Sequence, residues 1–240
     1  MVARSSRAEA TVLLDAGGVI LDESEHEAVR AELAVALLRE VVPGYTRDTY
    51  QADVEEAVYR FCPLVYEYVF WKRLGRNPGE FHQQYTAYQR AWETRKPPLK
   101  LMAGIEEEVR AMADEFNLGI AGQYGGEILD LLEHADVLDC FIFRLTQDDF
   151  ALTKPDPRYF EQIVRAFGVA PETCVMVGDR IDKDVIPAKQ LGMKTIRIRT
   201  GLHRNQQPRI PFEIPDTELD GMLGLAAAVR KVVNGTWMSD

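Results

Sequence analysis

The sequence predicts an α/β fold, a doubly wound parallel sheet that is interrupted by an inserted block of α-helices. Two observations predict it. From residue 100 onward, short apolar runs alternate with segments of helical periodicity, which is typical of parallel strands joined by covering helices. Residues 23–99, which follow the first apolar run, have helical periodicity alone. We therefore expect a core domain of residues 1–22 and 100–240 and an inserted helical domain of residues 23–99.

The first strand and the helical block follow from local patterns. Residues 11–15 form a short apolar run that ends in Asp15, and two glycines then indicate a turn. Within the block, apolar residues recur at helical spacing in four segments, which are separated by proline and glycine. Aromatic side chains are dense in these segments, and we expect most of them to form the core of a helical bundle.

The remaining elements alternate along the chain. Because ligands bind at the carboxyl ends of the strands in such sheets, the residues that follow each strand are the candidates for function. Further strands are predicted at residues 118–121, 141–145, 174–177 and 193–198, and helices at residues 105–112, 128–132, 156–167, 186–191 and 223–233.

Composition argues against several classes of function. The 240 residues include 28 Lys and Arg against 38 Asp and Glu, and this net charge of −10 argues against nucleic acid as the main partner. No run of about 18 apolar residues is present, so we expect no membrane partner, and a signal peptide is not recognised. The widely spaced Cys62, Cys140 and Cys174 indicate free thiols in the cytoplasm. The most basic stretch, residues 194–209, is interpreted as a solvated strand edge and loop.

Charged residues follow three of the predicted strands. Asp15 ends the first strand, and Lys154 follows the strand at 141–145. Asp179 follows the strand at 174–177, and Asp184 comes five residues later. We expect these side chains to converge at one edge of the sheet, where crowded carboxylates repel unless a cation lies among them. Mg²⁺ fits such a site because it binds carboxylates, water and phosphate oxygens.

Four segments resemble the sequence motifs of the haloacid dehalogenase-like (HAD) hydrolase superfamily. The resemblance implies a Rossmann-like core and identifies the helical insertion as a mobile cap of the C1 type on a phosphatase-like member. Asp15–Ile20 resembles the nucleophile loop, Leu118–Gln123 stands where the second motif belongs, Thr153–Pro157 resembles the third motif, and Val177–Asp184 resembles the fourth.

The resemblance also implies a role for individual residues. Asp15 would attack phosphorus to form an aspartyl-phosphate, which water then hydrolyses. Lys154 would orient Asp15 and the phosphate of a small phosphorylated metabolite. Asp15, the carbonyl of Gly17 and Asp179 would hold Mg²⁺, and Asp184 would support the metal ligands or their waters.

Two positions depart from the phosphatase pattern. Phosphatases of this superfamily normally carry a second Asp two residues after the nucleophile, which protonates the leaving group, and here that residue is Gly17. The second motif usually offers a Ser or Thr hydroxyl to the phosphate. Here Gly122 is followed by Gln123, and a backbone N–H or the Gln123 amide could bind the phosphate instead.

Three functions therefore stay open. The first is a Mg²⁺-dependent phosphatase, and the second is a weak or inactive member that binds a ligand or partner. The third is a phosphonatase or dehalogenase, since both classes lack the Asp that Gly17 replaces. Dehalogenases do not usually keep the fourth motif that is intact here, and phosphonate cleavage requires an imine-forming lysine in the cap, where Lys72 is present.

Overall fold

The computed structural model describes residues 10–149 and 151–235, in which the chain forms two compact units. The sheet unit contains the chain up to Asp22 and from Leu99 onward, and the helical unit is Glu23–Pro98. The predicted fold class, a doubly wound parallel sheet with an inserted α-helical domain, is confirmed. In the part of the chain that is described, no helix combines the length and the apolarity that a membrane span requires.

The helical unit contains the expected aromatic core, but only in part. Phe70 and Tyr88 are buried, whereas Tyr59 and Trp71 are 71% and 52% exposed. Tyr59 and Trp71 are exceptions because each directly follows a buried residue, and a helix turns by about 100° per residue. The helices of this unit are α1 (Ser24–Val41), α2 (Arg47–Tyr59), α3 (Val65–Leu74) and α4 (Pro78–Arg95).

The sheet unit is built on six parallel strands. They are β1 (Thr11–Leu14), β2 (Asn117–Ile120), β3 (Phe141–Phe143), β4 (Cys174–Gly178), β5 (Lys194–Ile198) and β6 (Thr217–Leu219). Their order across the sheet is β3-β2-β1-β4-β5-β6, so the direction of winding reverses between β1 and β4. In sheets of this kind, ligands bind at this switch point, outside the carboxyl ends of the strands. Strand β6 was not predicted, because its sequence Thr-Glu-Leu is not an apolar run and only its pairing with β5 makes it a strand.

Helices cover both faces of the sheet because neighbouring residues of a strand point to opposite faces. Val12 and Leu14 of β1 pack in one apolar cluster, and Leu13 packs in another. The first cluster includes side chains of α5 (Ile105–Ala113), α6 (Glu127–His134) and α9 (Leu225–Val233), and the second includes side chains of α7 (Pro157–Phe167) and α8 (Ile186–Gln190). Burial of both faces explains why the strands appear in the sequence as continuous apolar runs.

Candidate active site

Asp15 lies at the switch point, directly after β1. Its backbone N–H donates to the carbonyl of Val177 at 2.8 Å, which extends the pairing of β1 with β4 to this residue. Its side-chain Oδ1 accepts a hydrogen bond from the N–H of Ala16 at 2.8 Å. The side chain keeps 12% of its surface exposed. The carboxylate is thus oriented by its own loop and remains open to a small molecule.

A buried lysine joins two of the carboxylates that were singled out in the sequence. Nζ of Lys154 donates to Oδ1 of Asp15 at 2.7 Å and to Oδ1 of Asp184 at 2.6 Å. Burial lowers the pKa of Lys154, but the charges of Asp15 and Asp184 outweigh it and hold that pKa well above its ordinary value. Burial in turn raises the pKa of Asp184 to about 6, against the opposing effect of Lys154. The ammonium group of Lys154 therefore stays charged. It binds both Asp15, which follows β1, and Asp184, which follows β4.

The structure brings a third carboxylate to the same place. Oxygen atoms of Asp15, Asp179 and Asp184 all lie within 4.8 Å of one another. Asp15 and Asp184 share a single ammonium group, so their charge exceeds that of Lys154, and Asp179 adds to the negative charge. Hard oxygen donors at this spacing are the ligands that Mg²⁺ prefers. The donor set therefore fits the divalent cation that the sequence resemblance implies.

A glycine in the loop after β1 allows this close approach. Gly18 has φ +70°, in the left-handed region, and a Cβ atom there would lie 3.0 Å from the carboxyl carbon of Asp179. A side chain at this position would thus be strained and would push Asp179 away. Gly17, by contrast, is not among the glycines with positive φ, and it forms a bridge with Leu21. Gly17 has no side chain that could protonate a leaving group.

The chain forms one π-helical turn, Ile181–Val185, which begins two residues after Asp179 and includes Asp184. The N–H of Val185 donates to the carbonyl of Arg180 at 3.2 Å, and the N–H of Arg180 donates to Oδ2 of Asp184 at 3.1 Å. Single π turns of this kind recur at functional sites. Here the wider turn accommodates the five-residue spacing and returns Asp184 to the edge of the sheet.

Gly122 and Gln123 follow β2, and Gly122 lies against the loop of Asp15. A Cβ atom at Gly122 would lie 2.2 Å from the Cβ of Ala16, so that this position accepts only glycine. The hydroxyl of Tyr159, on α7, donates to the carbonyl of Gly122 at 3.2 Å. The structure thus places Gly122 beside the loop of Asp15, and Gln123 is half-buried next to it.

The interpretation of residues 194–209 as a solvated strand edge and loop is wrong for two of their basic side chains, Arg197 and His203. Arg197 is 1% exposed and His203 is 6% exposed. Strand β5 is an inner strand between β4 and β6, so Arg197 is enclosed, and its Nη1 pairs with Glu218 at 2.8 Å. Burial lowers the pKa of His203 to about 3. The alternation of Ile and Arg over residues 196–199 was the available signal, because a period of two places Arg197 and Arg199 together on one face of a sheet that helices cover on both sides.

Lys72, the lysine that an imine mechanism would require, lies in an ionic cluster of the helical unit. Its Nζ is 2.6 Å from Asp53 and 2.5 Å from Glu56. Burial lowers the pKa of Lys72, but its hydrogen bonds to the two carboxylates raise it above the ordinary value. An imine-forming lysine must lose its proton to attack a carbonyl, and such lysines have lowered pKa values. This environment argues against phosphonate cleavage through Lys72.

A comparison with known proteins identifies the family. The sequence model described as "haloacid dehalogenase-like hydrolase" matches residues 10–192, which is more than half of the chain. The chain belongs to the haloacid dehalogenase-like hydrolases, as its motifs predicted.

Individual relatives match shorter stretches. A glyceraldehyde 3-phosphate phosphatase of Methanopyrus kandleri is 40% identical over 85 residues, which are 35% of this chain and 36% of that protein. A phosphoserine phosphatase of Thermus thermophilus is 40% identical over 76 residues, 32% of this chain and 29% of that protein. The chain therefore matches about a third of the length of these relatives.

A solved structure shares the fold over nearly the whole chain. It is that of a HAD hydrolase of Bacillus subtilis bound to magnesium, with a TM-score of 0.60 and 18% identity, covering 95% of this chain and 100% of that one. At this identity the likeness concerns the fold alone.

Proposed function

We propose that this chain is a Mg²⁺-dependent phosphatase that hydrolyses a small phosphorylated metabolite through an aspartyl-phosphate on Asp15. The observation that carries the proposal is the arrangement of Asp15, which is bonded to buried Lys154 and lies within 4.8 Å of two further carboxylates. The matches to a glyceraldehyde 3-phosphate phosphatase and a phosphoserine phosphatase support a phosphate ester as the substrate.

Asp15, Asp179 and Asp184, together with the carbonyl of Gly17, are the groups that would hold the cation. When bound, Mg²⁺ would offset the negative charge of a phosphate that approaches an anionic nucleophile. Lys154 already lies at the Asp15 carboxylate, where its charge both orients the nucleophile and favours an incoming phosphate. Backbone N–H groups at Gly122 and the amide of Gln123 would complete the phosphate site.

The chemistry has two steps. A carboxylate oxygen of Asp15 bonds to phosphorus, the bond from phosphorus to the leaving oxygen breaks, and an aspartyl-phosphate forms. Water then hydrolyses this acyl phosphate, which releases inorganic phosphate and regenerates the Asp15 carboxylate. An alkoxide leaving oxygen takes up a proton as it departs, and because Gly17 has no side chain that could supply it, water is the proton donor.

The test of the proposal is phosphate release from a panel of phosphorylated metabolites with Mg²⁺ and with EDTA. Asp15→Asn keeps the shape of the side chain and removes the nucleophile, so we expect turnover to fall by about 10⁴-fold or more. Asp114→Asn, at an exposed position away from the cluster, is the matched control and should keep full activity. Undiminished turnover in Asp15→Asn would overturn the assignment of the nucleophile, and halide release from haloacids without metal would favour a dehalogenase.

Gly17 is the observation that favours a weak or inactive member, and it leads to a second test. General acid catalysis contributes about 10²–10⁴-fold, so the wild-type protein should hydrolyse aryl and acyl phosphates well and simple alkyl phosphates poorly. Gly17→Asp should raise alkyl phosphate hydrolysis by a factor in that range, because the positive φ of this loop belongs to Gly18 and not to Gly17.

Gly17→Asn is the control for this test, since it introduces a similar shape without an acid. Similar rates for alkyl and aryl phosphates in the wild-type protein would show that another group protonates the leaving oxygen. A protein that binds phosphate esters but releases no phosphate from any of them would support the inactive alternative.

A further inference from the structure

The segment between Asp179 and Asp184 is held from outside by a glutamine that is distant in the sequence. Gln206 lies in the loop after β5 and is 1% exposed. Its Oε1 accepts a hydrogen bond from the N–H of Ile181 at 2.7 Å, and its Nε2 donates to Oδ1 of Asp182 at 2.8 Å. Both contacts fall between the two carboxylates that are proposed to hold the cation.

The two contacts require a primary amide at residue 206. The N–H of Ile181 needs an acceptor, whereas the carboxylate of Asp182 needs a donor, and an amide side chain offers both. Asp182 is also paired with Arg180 at 2.6 Å, so the donor of Gln206 joins an ion pair that is itself mostly buried. A buried polar group that loses its partner is costly, and loss of the amide would leave the N–H of Ile181 without its acceptor and Asp182 with the donors of Arg180 alone.

A second contact attaches the loop of Gln206 to the same segment. Nε of Arg197 donates to the carbonyl of Asp179 at 3.3 Å, while its Nη2 donates to the carbonyls of His203 at 2.8 Å and Arg204 at 3.2 Å. The backbone of Gln206 donates to the carbonyl of His203 at 2.9 Å. The loop after β5 and the segment that begins at Asp179 thus form one hydrogen-bonded unit.

We propose that Gln206 is a positioning residue, which holds the backbone between Asp179 and Asp184 in the conformation in which their carboxylates converge on a divalent cation. The inference rests on the proposed function, because it takes Mg²⁺ as that cation. Loss of a group that orients a metal ligand typically lowers metal affinity by about 10–100-fold. Gln206→Met preserves length and removes both hydrogen bonds, so we expect the Kd for Mg²⁺ to rise by about tenfold or more.

The experiment measures Mg²⁺ binding to the substrate-free protein by calorimetry, and then the Mg²⁺ dependence of phosphate release. Gln207→Met is the matched control, since the neighbouring Gln207 is exposed and donates to the carbonyl of Asn205. Gln206→Met should require more Mg²⁺ and then approach the wild-type kcat at saturating Mg²⁺, because the proposed nucleophile and ligands are intact. A structural role unrelated to the cation would leave the Kd for Mg²⁺ unchanged.

An exchange of donor and acceptor keeps the inference testable if Gln206→Met does not fold. Gln206→Glu places a second carboxylate against Asp182 and should weaken Mg²⁺ binding. Adding Asp182→Asn restores a donor opposite the introduced carboxylate at the same net charge, and it should return the Kd towards that of the wild-type protein.

The outcomes separate this inference from the proposed function. Equal Mg²⁺ affinities in Gln206→Met and Gln207→Met, or no recovery in the double variant, would overturn the role of Gln206 alone. A wild-type protein that binds no Mg²⁺ would overturn the proposed metal site itself, and the role of Gln206 with it.

Discussion

The ionic cluster around Asp53 in the helical unit and the cluster around Lys154 in the sheet unit each surround a buried charged residue, and they differ in their balance of charge. Asp53 is fully buried and accepts hydrogen bonds from Arg73 at 2.6 and 2.5 Å and from the hydroxyl of Tyr45 at 3.0 Å. Lys72 lies 2.6 Å from the same carboxylate. In the sheet unit the carboxylates outnumber the cation, since two carboxylates are bonded to Lys154 and a third lies within 4.8 Å of them.

The difference separates a cluster that serves stability from one that serves a ligand. A buried charge is costly unless it is paired and hydrogen-bonded. Side chains of the protein pair with the Asp53 carboxylate, so this cluster needs no added ligand. The carboxylates around Lys154 outnumber the ammonium group that binds them, and an added cation would relieve their repulsion. We therefore expect the loss of a carboxylate to lower stability in the first cluster and to abolish stabilisation by Mg²⁺ in the second.

The largest effect on stability is expected when the cluster around Asp53 loses that carboxylate. Asp53→Asn leaves Arg73 and Lys72 without their buried partner, and the free energy of unfolding should fall by about 3 kcal/mol, at the lower end for a buried pair because both cations are partly exposed. Urea denaturation measures it. Glu56→Gln is the control, because this partner of Lys72 lies at the exposed end of the cluster. Its free energy of unfolding should fall by much less. Equal losses in the two variants would contradict the view that buried pairing of Asp53 stabilises the helical unit.

A slightly smaller effect on stability is expected from adding a cation to the cluster around Lys154. Mg²⁺ at 100 times its Kd should stabilise the wild-type protein by about 2.7 kcal/mol, because it binds the native state. Thermal unfolding with Mg²⁺ and with EDTA measures the gain. Asp53→Asn should keep this gain and Asp179→Asn should lose it, because Asp179 is one of the proposed ligands of the cation. A gain that persists in Asp179→Asn would place the cation elsewhere.

The smallest effect concerns a buried group of the sheet unit that avoids charge altogether. Burial lowers the pKa of His203 from 6.5 to about 3, so that the unfolded chain binds a proton between these pH values and the folded chain does not. Stability from this group is therefore complete above pH 6.5 and is lost as the pH falls, by about 2 kcal/mol between pH 7 and pH 5.

His203→Gln removes this contribution, so the difference in unfolding free energy between wild type and variant should shrink by that amount over the same range. Urea denaturation at several pH values measures it. A difference that does not depend on pH would mean that His203 is protonated in the folded protein.

Much of the fold could be predicted from the sequence because its causes are local. The alternation of apolar runs and helical segments depends on neighbouring residues, and it placed five of the six strands to within a few residues. The family could be recognised for the same reason, since Asp15, Lys154 and the Gly178-Asp179 pair each occur in a short motif. Strand β6 was missed because its pairing with β5, and not its own sequence, makes it a strand.

The sequence by itself determined which residues could carry the chemistry, and the tertiary structure decided which charges are balanced. Asp53 on α2 pairs with Lys72 and Arg73 on α3. Gln206, in the loop after β5, is hydrogen-bonded to Ile181 and Asp182, which follow β4. The local sequence around Asp53 or Gln206 does not predict these partners. A hydrogen bond between distant segments depends on where the packed elements place their side chains. Burial has the same origin, since Arg197 is enclosed because β5 is an inner strand and because the loop after β5 packs on its side chain.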